Sequence, residues 1–502
     1  MLMEKEQKVI YSRRRGVLMP IFSLPSPHGI GTLGREAYDL VDLLSEVGAT
    51  IWAILPTGVT GYGDSPYQSF SSFALNPYFL DLDMLAEEGL LTREECESAD
   101  FGSDPAHVDY GRLFENRLPL LMTAYARAKE RAGYAESAAE FEKTAPWLDD
   151  YARFMSIKDA EGGRPWYEWP EGLRDRDPEA MEAIAEKIET EVGFHKFIQL
   201  KLAEQWSKLT DYALGKAVLI MGDLPIYCAY DSADCWAYRD NFRFDKDGRP
   251  TEVAGVPPDY FCEDGQLWGN PVYDWPYMKE NGFSFWMARL SRAAELYDIL
   301  RIDHFRGFAS YYSVPYGAPN ARNGEWIKAE GRRLFDMAAE AGLPVEIVAE
   351  DLGFITRDVR MLLNRTGFAG MQVMEFAFDD DRKNPHKNRR WDGDNRSLKN
   401  KIAYTGTHDN PPLLEWWEGA DEHTRTLAER YAGAYKKEMP MGIVRATLAS
   451  NARYAIVPFW DVLLLGPEAR MNTPATASGN WTRRVTPEEY EQFGIALRDL
   501  FE

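Results

Sequence analysis

DILRIDHFRG, at residues 298–307, sets a short aliphatic run against an abrupt polar break, and the fold turns on that break. Ile299, Leu300 and Ile302 read as a strand, and Asp303 ends it. The same pattern, an aliphatic run closed by Pro, Gly, Asp or Asn, recurs at 49–55, 217–221, 345–349, 371–376, 402–404 and 454–459, and an eighth strand is expected near 79–82. Helical stretches lie between them. Phe194, Phe197, Ile198, Leu202 and Trp206, for instance, fall at the spacing of one buried helix face. Strands alternating with helices predict an α/β protein with a parallel sheet, and eight of them suit a (β/α)8 TIM barrel. The gap between the second and third strands is too long for one crossover. Its acidic, helix-favouring composition from 85 to 191 predicts a mainly helical insertion on a single decorated barrel domain, 1–502. No repeat of fixed period interrupts this order.

Composition removes several function classes. A 502-residue chain with 27% charged and 45% hydrophobic residues folds rather than staying disordered. Its 57 Lys and Arg against 80 Asp and Glu leave a net charge of −23, a field against which nucleic acid must approach. Arg13, Arg14 and Arg15 form the only basic cluster and are expected in a solvated turn. Cys96, Cys228, Cys235 and Cys262 make neither a disulfide framework nor a metal knuckle, which fits free thiols in the cytoplasm. The apolar stretch 16–24 is broken by Pro20, follows Glu4 and Glu6 and lacks a small-residue cleavage site, so no export signal is expected. The stretch 454–465 carries Asp461 and is too short for a bilayer, so no membrane segment is expected either. Aromatic residues make up 13% of the chain, which suits both a large core and stacking on sugars.

GIGTLG at 29–34 matches a dinucleotide fingerprint but follows a loop, and the next strand ends in Pro56, Thr57 and Gly58 instead of an acidic ribose ligand. The stronger signal is acidic. Asp223 follows VLIMG, Asp303 follows DILRI, Glu350 and Asp351 follow EIVA, and Asp409 follows AYTGTH. In a parallel barrel these strand ends converge on the face that holds active sites. Arg301 and Asp303 are two apart and point the same way, so the guanidinium favours the ionised carboxylate. Glu350 and Asp351 are adjacent and point apart; only one enters the cleft, and periodicity does not choose. No HExxH, HxH or EF-hand spacing appears, so neither metal nor cofactor is implied. An anionic carboxylate, a protonated carboxylic acid and aromatic walls are the parts of a retaining glycosidase.

GDSPYQSFS (63–71), GDLPIY (222–227), RIDHFRG (301–307), AEDLG (349–353) and TGTHDN (405–410) closely resemble the sequence blocks of the amylomaltase family, the 4-α-glucanotransferases of the α-amylase clan. The resemblance runs from about residue 16 to the RMN of 470–472. It implies Asp303 as the nucleophile, Glu350 as acid and base, and Asp409 as the third carboxylate, which holds sugar hydroxyls and stabilises the transition state. The resemblance, not periodicity, selects Glu350 over Asp351. It also implies substrate contacts from Ser65, Tyr67, Asp223, Arg301, His304, His408 and Asn472. AGVPPDYFCEDGQLWGNPVYDW (254–275) is similar to the family's mobile loop over the cleft, where Phe261, Gln266 and Trp268 are expected to cover the glycosyl-enzyme and disfavour water. Tyr62 and Tyr110 are candidates for the family's second glucan site. Cys228 and Cys235 stand where relatives are expected to carry valine, for which a buried thiol is a near substitute.

The expected activity is therefore transfer of an α-1,4-glucan segment from starch or a maltooligosaccharide to the 4-hydroxyl of another maltooligosaccharide or of glucose, by double displacement through a covalent glycosyl-enzyme. An α-glucan hydrolase is the alternative, because the same three acids serve it. A non-catalytic glucan binder is expected to lack one of Asp303, Glu350 and Asp409, and none is replaced.

Overall fold

A computed structural model describes residues 13–61, 63–258, 263–353, 355–381, 383–387, 399–474, 476 and 478–502. Its centre is a closed barrel of eight parallel strands: β1 (Arg14–Leu18), β2 (Ile51–Ala53), β3 (Leu219–Leu224), β6 (Ile299–Ile302), β9 (Glu346–Ala349), β10 (Ala369–Val373), β11 (Lys399–Tyr404) and β12 (Ala452–Pro458). They run around the ring as β1-β12-β11-β10-β9-β6-β3-β2. The (β/α)8 expectation therefore holds, with one strand misplaced.

The eighth strand is not at 79–82. That stretch is a short 3-10 turn, Pro77–Phe79, followed by the helix Leu82–Glu87. Asn76 and Asp81 decide it, since their side chains accept from the amides of Tyr78 and Met84 and cap the two turns. The missing strand is β1, which runs through the arginine triplet expected in a solvated turn. Gly16, Val17 and Leu18 are buried between β12 and β2, while the Arg15 guanidinium lies 4.6 Å over the Phe501 ring. Gly16 is required there: a Cβ on it would sit 2.3 Å from the Ile51 carbonyl oxygen of β2.

Between β2 and β3 stand the helices Arg93–Ser98, Tyr110–Lys129, Tyr134–Thr144 and Leu148–Ala160, then a 38-residue helix, Pro178–Gly215. Asp177 caps this rod and Pro178 occupies its first turn. At 1.5 Å per residue it is about 57 Å long, and it runs unbroken past residue 191 to feed β3. Phe194, Phe197, Ile198, Leu202 and Trp206 are all buried on it. A second, antiparallel sheet has the order β5 (Gln266–Pro271), β4 (Glu252–Val256), β7 (Ser310–Pro315), β8 (Glu325–Lys328). The arms of the expected lid, 254–275, are thus strands. Among the described residues no helix is long and apolar enough to cross a membrane.

Candidate active site

Three neighbouring strands deliver the first charges. β3 and β6 pair with Asp223 directly opposite Arg301, and β6 and β9 pair up to Ile302 opposite Ala349, one residue before Glu350. Arg301 forks between two carboxylates, Nη1 to Asp223 Oδ2 at 2.5 Å and Nη2 to Asp303 Oδ1 at 3.0 Å. His304 follows in the left-handed region at φ 47°, a costly conformation for a residue with a Cβ. That twist aims its amide at Glu350 Oε2, 2.8 Å away, while the Leu352 amide reaches Oε1 at 2.8 Å. Asp351 points the other way, to the Lys401 ammonium at 3.2 Å and the Met371 amide. The parity argument was sound, and these contacts leave Glu350 as the acid nearer Asp303.

The loop after β11 brings the rest. Asp409 Oδ1 accepts from Asn472 Nδ2 at 2.6 Å, and His408 Nε2 lies 3.3 Å from Oδ2. Tyr67 stacks on the His408 ring, with centroids 5.0 Å apart, and donates its hydroxyl to Asp223 Oδ2 at 2.6 Å. Ser65 Oγ accepts from the Tyr67 amide and so shapes that turn. Trp268 stands edge-on to His304 at 4.7 Å, and its indole N–H donates to Gln266 Oε1 at 3.1 Å. Twelve of the thirteen residues expected to act in catalysis or touch substrate therefore fall into two contact groups, which meet at the adjacent residues Asp303 and His304. The thirteenth, Phe261, lies outside the described residues, as does Tyr62. Tyr110 is half-buried, its hydroxyl donating to the Trp481 carbonyl. Cys228 and Cys235 are buried and reduced, with burial pushing both thiols up and keeping them neutral.

Sequence reasoning missed Trp481, whose ring lies 5.6 Å from Tyr67 and 5.8 Å from His408. It sits in no strand end or motif, and a lone tryptophan near a chain terminus gives no signal of its own.

The charges are graded by surroundings. Burial, and next the charge of Asp303, push Glu350 up to about 7. Asp303 is also raised by burial, to about 6, with Arg301 pulling the other way and favouring the ionised carboxylate, as its place beside Asp303 implies. Burial pushes Asp409 the same way, but His408 and Asn472 outweigh it and bring the group to about 2. Burial holds His304 neutral, near 3. Two polar atoms in this cluster, Asp223 Oδ1 and His304 Nε2, are buried without a partner among the described residues, which a ligand rich in hydroxyls would remedy. Among the described residues no group of three or more His, Cys, Asp or Glu side chains is placed to hold a metal ion.

A parallel barrel with a strand-end carboxylate cluster of graded acidity defines a sugar-processing enzyme of the glycosidase type. Comparisons make it specific. A family model described as 4-alpha-glucanotransferase matches residues 19–489. A 4-alpha-glucanotransferase of Thermus thermophilus is 45% identical over 500 residues, covering 98% of each chain, and one of Clostridium butyricum is 42% identical over 93% of this chain and 95% of its own. A solved structure of the amylomaltase from Streptococcus agalactiae in complex with acarbose superposes with a TM-score of 0.92 at 37% identity, over 97% of this chain and 98% of that one. The chain belongs to the 4-alpha-glucanotransferase family. Its function is glucan transfer, and the hydrolase alternative is not favoured.

Proposed function

We propose that transfer proceeds through a covalent ester on Asp303, with Glu350 as the proton carrier and Asp409 as the electrostatic partner of the transition state. The supporting observation is the graded acidity of these acids around Arg301, with Asp303 and Glu350 both raised, to about 6 and about 7, and Asp409 lowered to about 2. Asp303 Oδ1 is held by Arg301, so attack on the anomeric carbon is assigned to Oδ2. As the Asp303 C–O bond forms, the glycosidic bond breaks, and the Glu350 proton passes to the departing 4-oxygen. The shortened glucan leaves. Glu350, now a carboxylate, takes the proton of an incoming 4-hydroxyl, whose oxygen displaces Asp303 and restores the enzyme. Two inversions leave the α-configuration retained.

Asp409 stays ionised beside His408 and Asn472, and it opposes the positive charge that develops at the anomeric carbon while accepting from ring hydroxyls. Asp223 Oδ1 and His304 Nε2 satisfy their buried valences on the same sugar. Gln266 and Trp268, from the β5 arm, cover the ester and favour a stacked sugar acceptor over water. Acceptors include glucose as well as maltooligosaccharides. Neither nucleic acid nor a membrane is a partner, no cofactor or metal takes part, and the enzyme works in the cytoplasm, where its thiols stay reduced.

Incubation with maltotriose tests this. The expected result is a ladder of longer oligomers together with glucose, lost by about 10⁴-fold or more in Asp303→Asn. Full activity of that variant overturns the assignment of the nucleophile.

A further inference from the structure

Asp461 is a fully buried carboxylate with no route to substrate. It sits on the short helix Phe459–Val462, which β12 leads into, and none of its surface is exposed. Both of its oxygens are engaged, and both partners belong to the same segment. Thr405 Oγ1 donates to Oδ2, and the Leu413 amide donates to Oδ1 at 2.8 Å. Thr405 is the first residue after β11, and Leu413 opens the helix Leu413–Gly419, whose N-cap, Pro412, offers no side-chain acceptor. Between these two anchors lie His408 and Asp409.

We infer that Asp461 is a positioning residue for catalysis, a clamp that fixes both ends of the 405–413 segment and so sets where Asp409 meets the reacting glucose. The inference deepens the reading of Asp409 as the third catalytic carboxylate and rests on it. Inside the clamp the segment ties itself down. Asn410 Oδ1 accepts from the Thr407 hydroxyl at 2.8 Å and the Thr407 amide at 3.0 Å, and Thr407 Oγ1 accepts from the Asp409 amide at 3.3 Å. Rotation of the segment as a whole is what these internal bonds cannot resist, and the two Asp461 bonds resist it. A carboxylate suits this task because its two oxygens accept in one plane, one from each end. Displacement of a charge-stabilising group by about 1 Å costs up to about a hundredfold in rate while leaving most ground-state contacts intact.

The test uses the full chain with maltotriose, reading kcat and KM separately, with melting midpoints confirming that each variant is folded at the assay temperature. Thr405→Val removes one clamp bond and keeps the side chain's shape. It is expected to lower kcat about tenfold or more with KM within about twofold. Asp461→Ala is expected to lose about a hundredfold in kcat, and Asp461→Asn, which keeps an acceptor for Leu413 and a polar partner for Thr405, to recover most of that loss. Should Asp461→Ala fail to fold, Thr405→Val decides. A Thr405→Val kcat within twofold of the parent overturns the inference, as does an Asp461→Asn enzyme no better than Asp461→Ala. Asp409→Asn separates the two layers: if it is active, the reading of Asp409 falls and takes the clamp with it, whereas an inactive Asp409→Asn beside an unimpaired Thr405→Val removes the clamp alone.

Discussion

Glu350 holds a proton that water would strip from it, and two measurable consequences follow from its rise to about 7. Turnover needs Asp303 ionised, so it falls below about 6, and Glu350 protonated, so it falls above about 7. A narrow bell centred between these values is the expected pH profile of kcat/KM, and a flat profile from 5 to 9 contradicts it. The same raised acidity constant governs stability. A folded value above the ordinary 4.5 means the carboxyl's contribution is fully present below 4.5 and is lost as pH climbs through 7. At pH 8 the loss is on the order of 3 kcal/mol. Glu350→Gln, inactive but neutral, should therefore melt above the parent at pH 8, and the gap should close by pH 4; equal midpoints at both pH values refute this.

Among the elements, the β4–β5 pair is the one to which the proposed mechanism assigns the preference for a sugar acceptor over water. Trp268 leaves it to meet His304. Trp268→Ala is expected to raise the ratio of hydrolysis to transfer severalfold, measured as reducing ends released against oligomers lengthened, and an unchanged ratio reassigns the tryptophan to anchoring the hairpin. How far elements were legible beforehand depended on what their ends look like. β6 was readable because Ile299, Leu300 and Ile302 are aliphatic and Asp303 breaks the run. β1 was hidden because its first two residues are arginines, half-buried at the barrel's end, with Arg15 laid over the Phe501 ring. Residues 79–82 deceived because cap side chains outweigh a short aliphatic run. The acids proposed for catalysis were legible as residues at or just after strand ends, and the structure brings them to the same end of the barrel. Periodicity did not separate Glu350 from Asp351; the family resemblance selected Glu350, and the contacts of Asp351 with Lys401 and Met371, remote in sequence, give the physical reason it points elsewhere.

For the molecule as a whole, closure of the ring depends on β1, which fills the gap between β12 and β2 and removes two open edges. Its fit is tight at Gly16. Gly16→Ala is expected to destabilise the barrel by about 3 kcal/mol, seen as a lower melting midpoint, and an unchanged midpoint would mean that β2 yields without penalty. The carboxylate cluster has the same dispersed character, since Tyr67 and Asn472 come from segments far apart in sequence yet both bond to it. No short segment of the chain carries the cluster by itself, so its assembly waits on closure of contacts between parts distant in sequence.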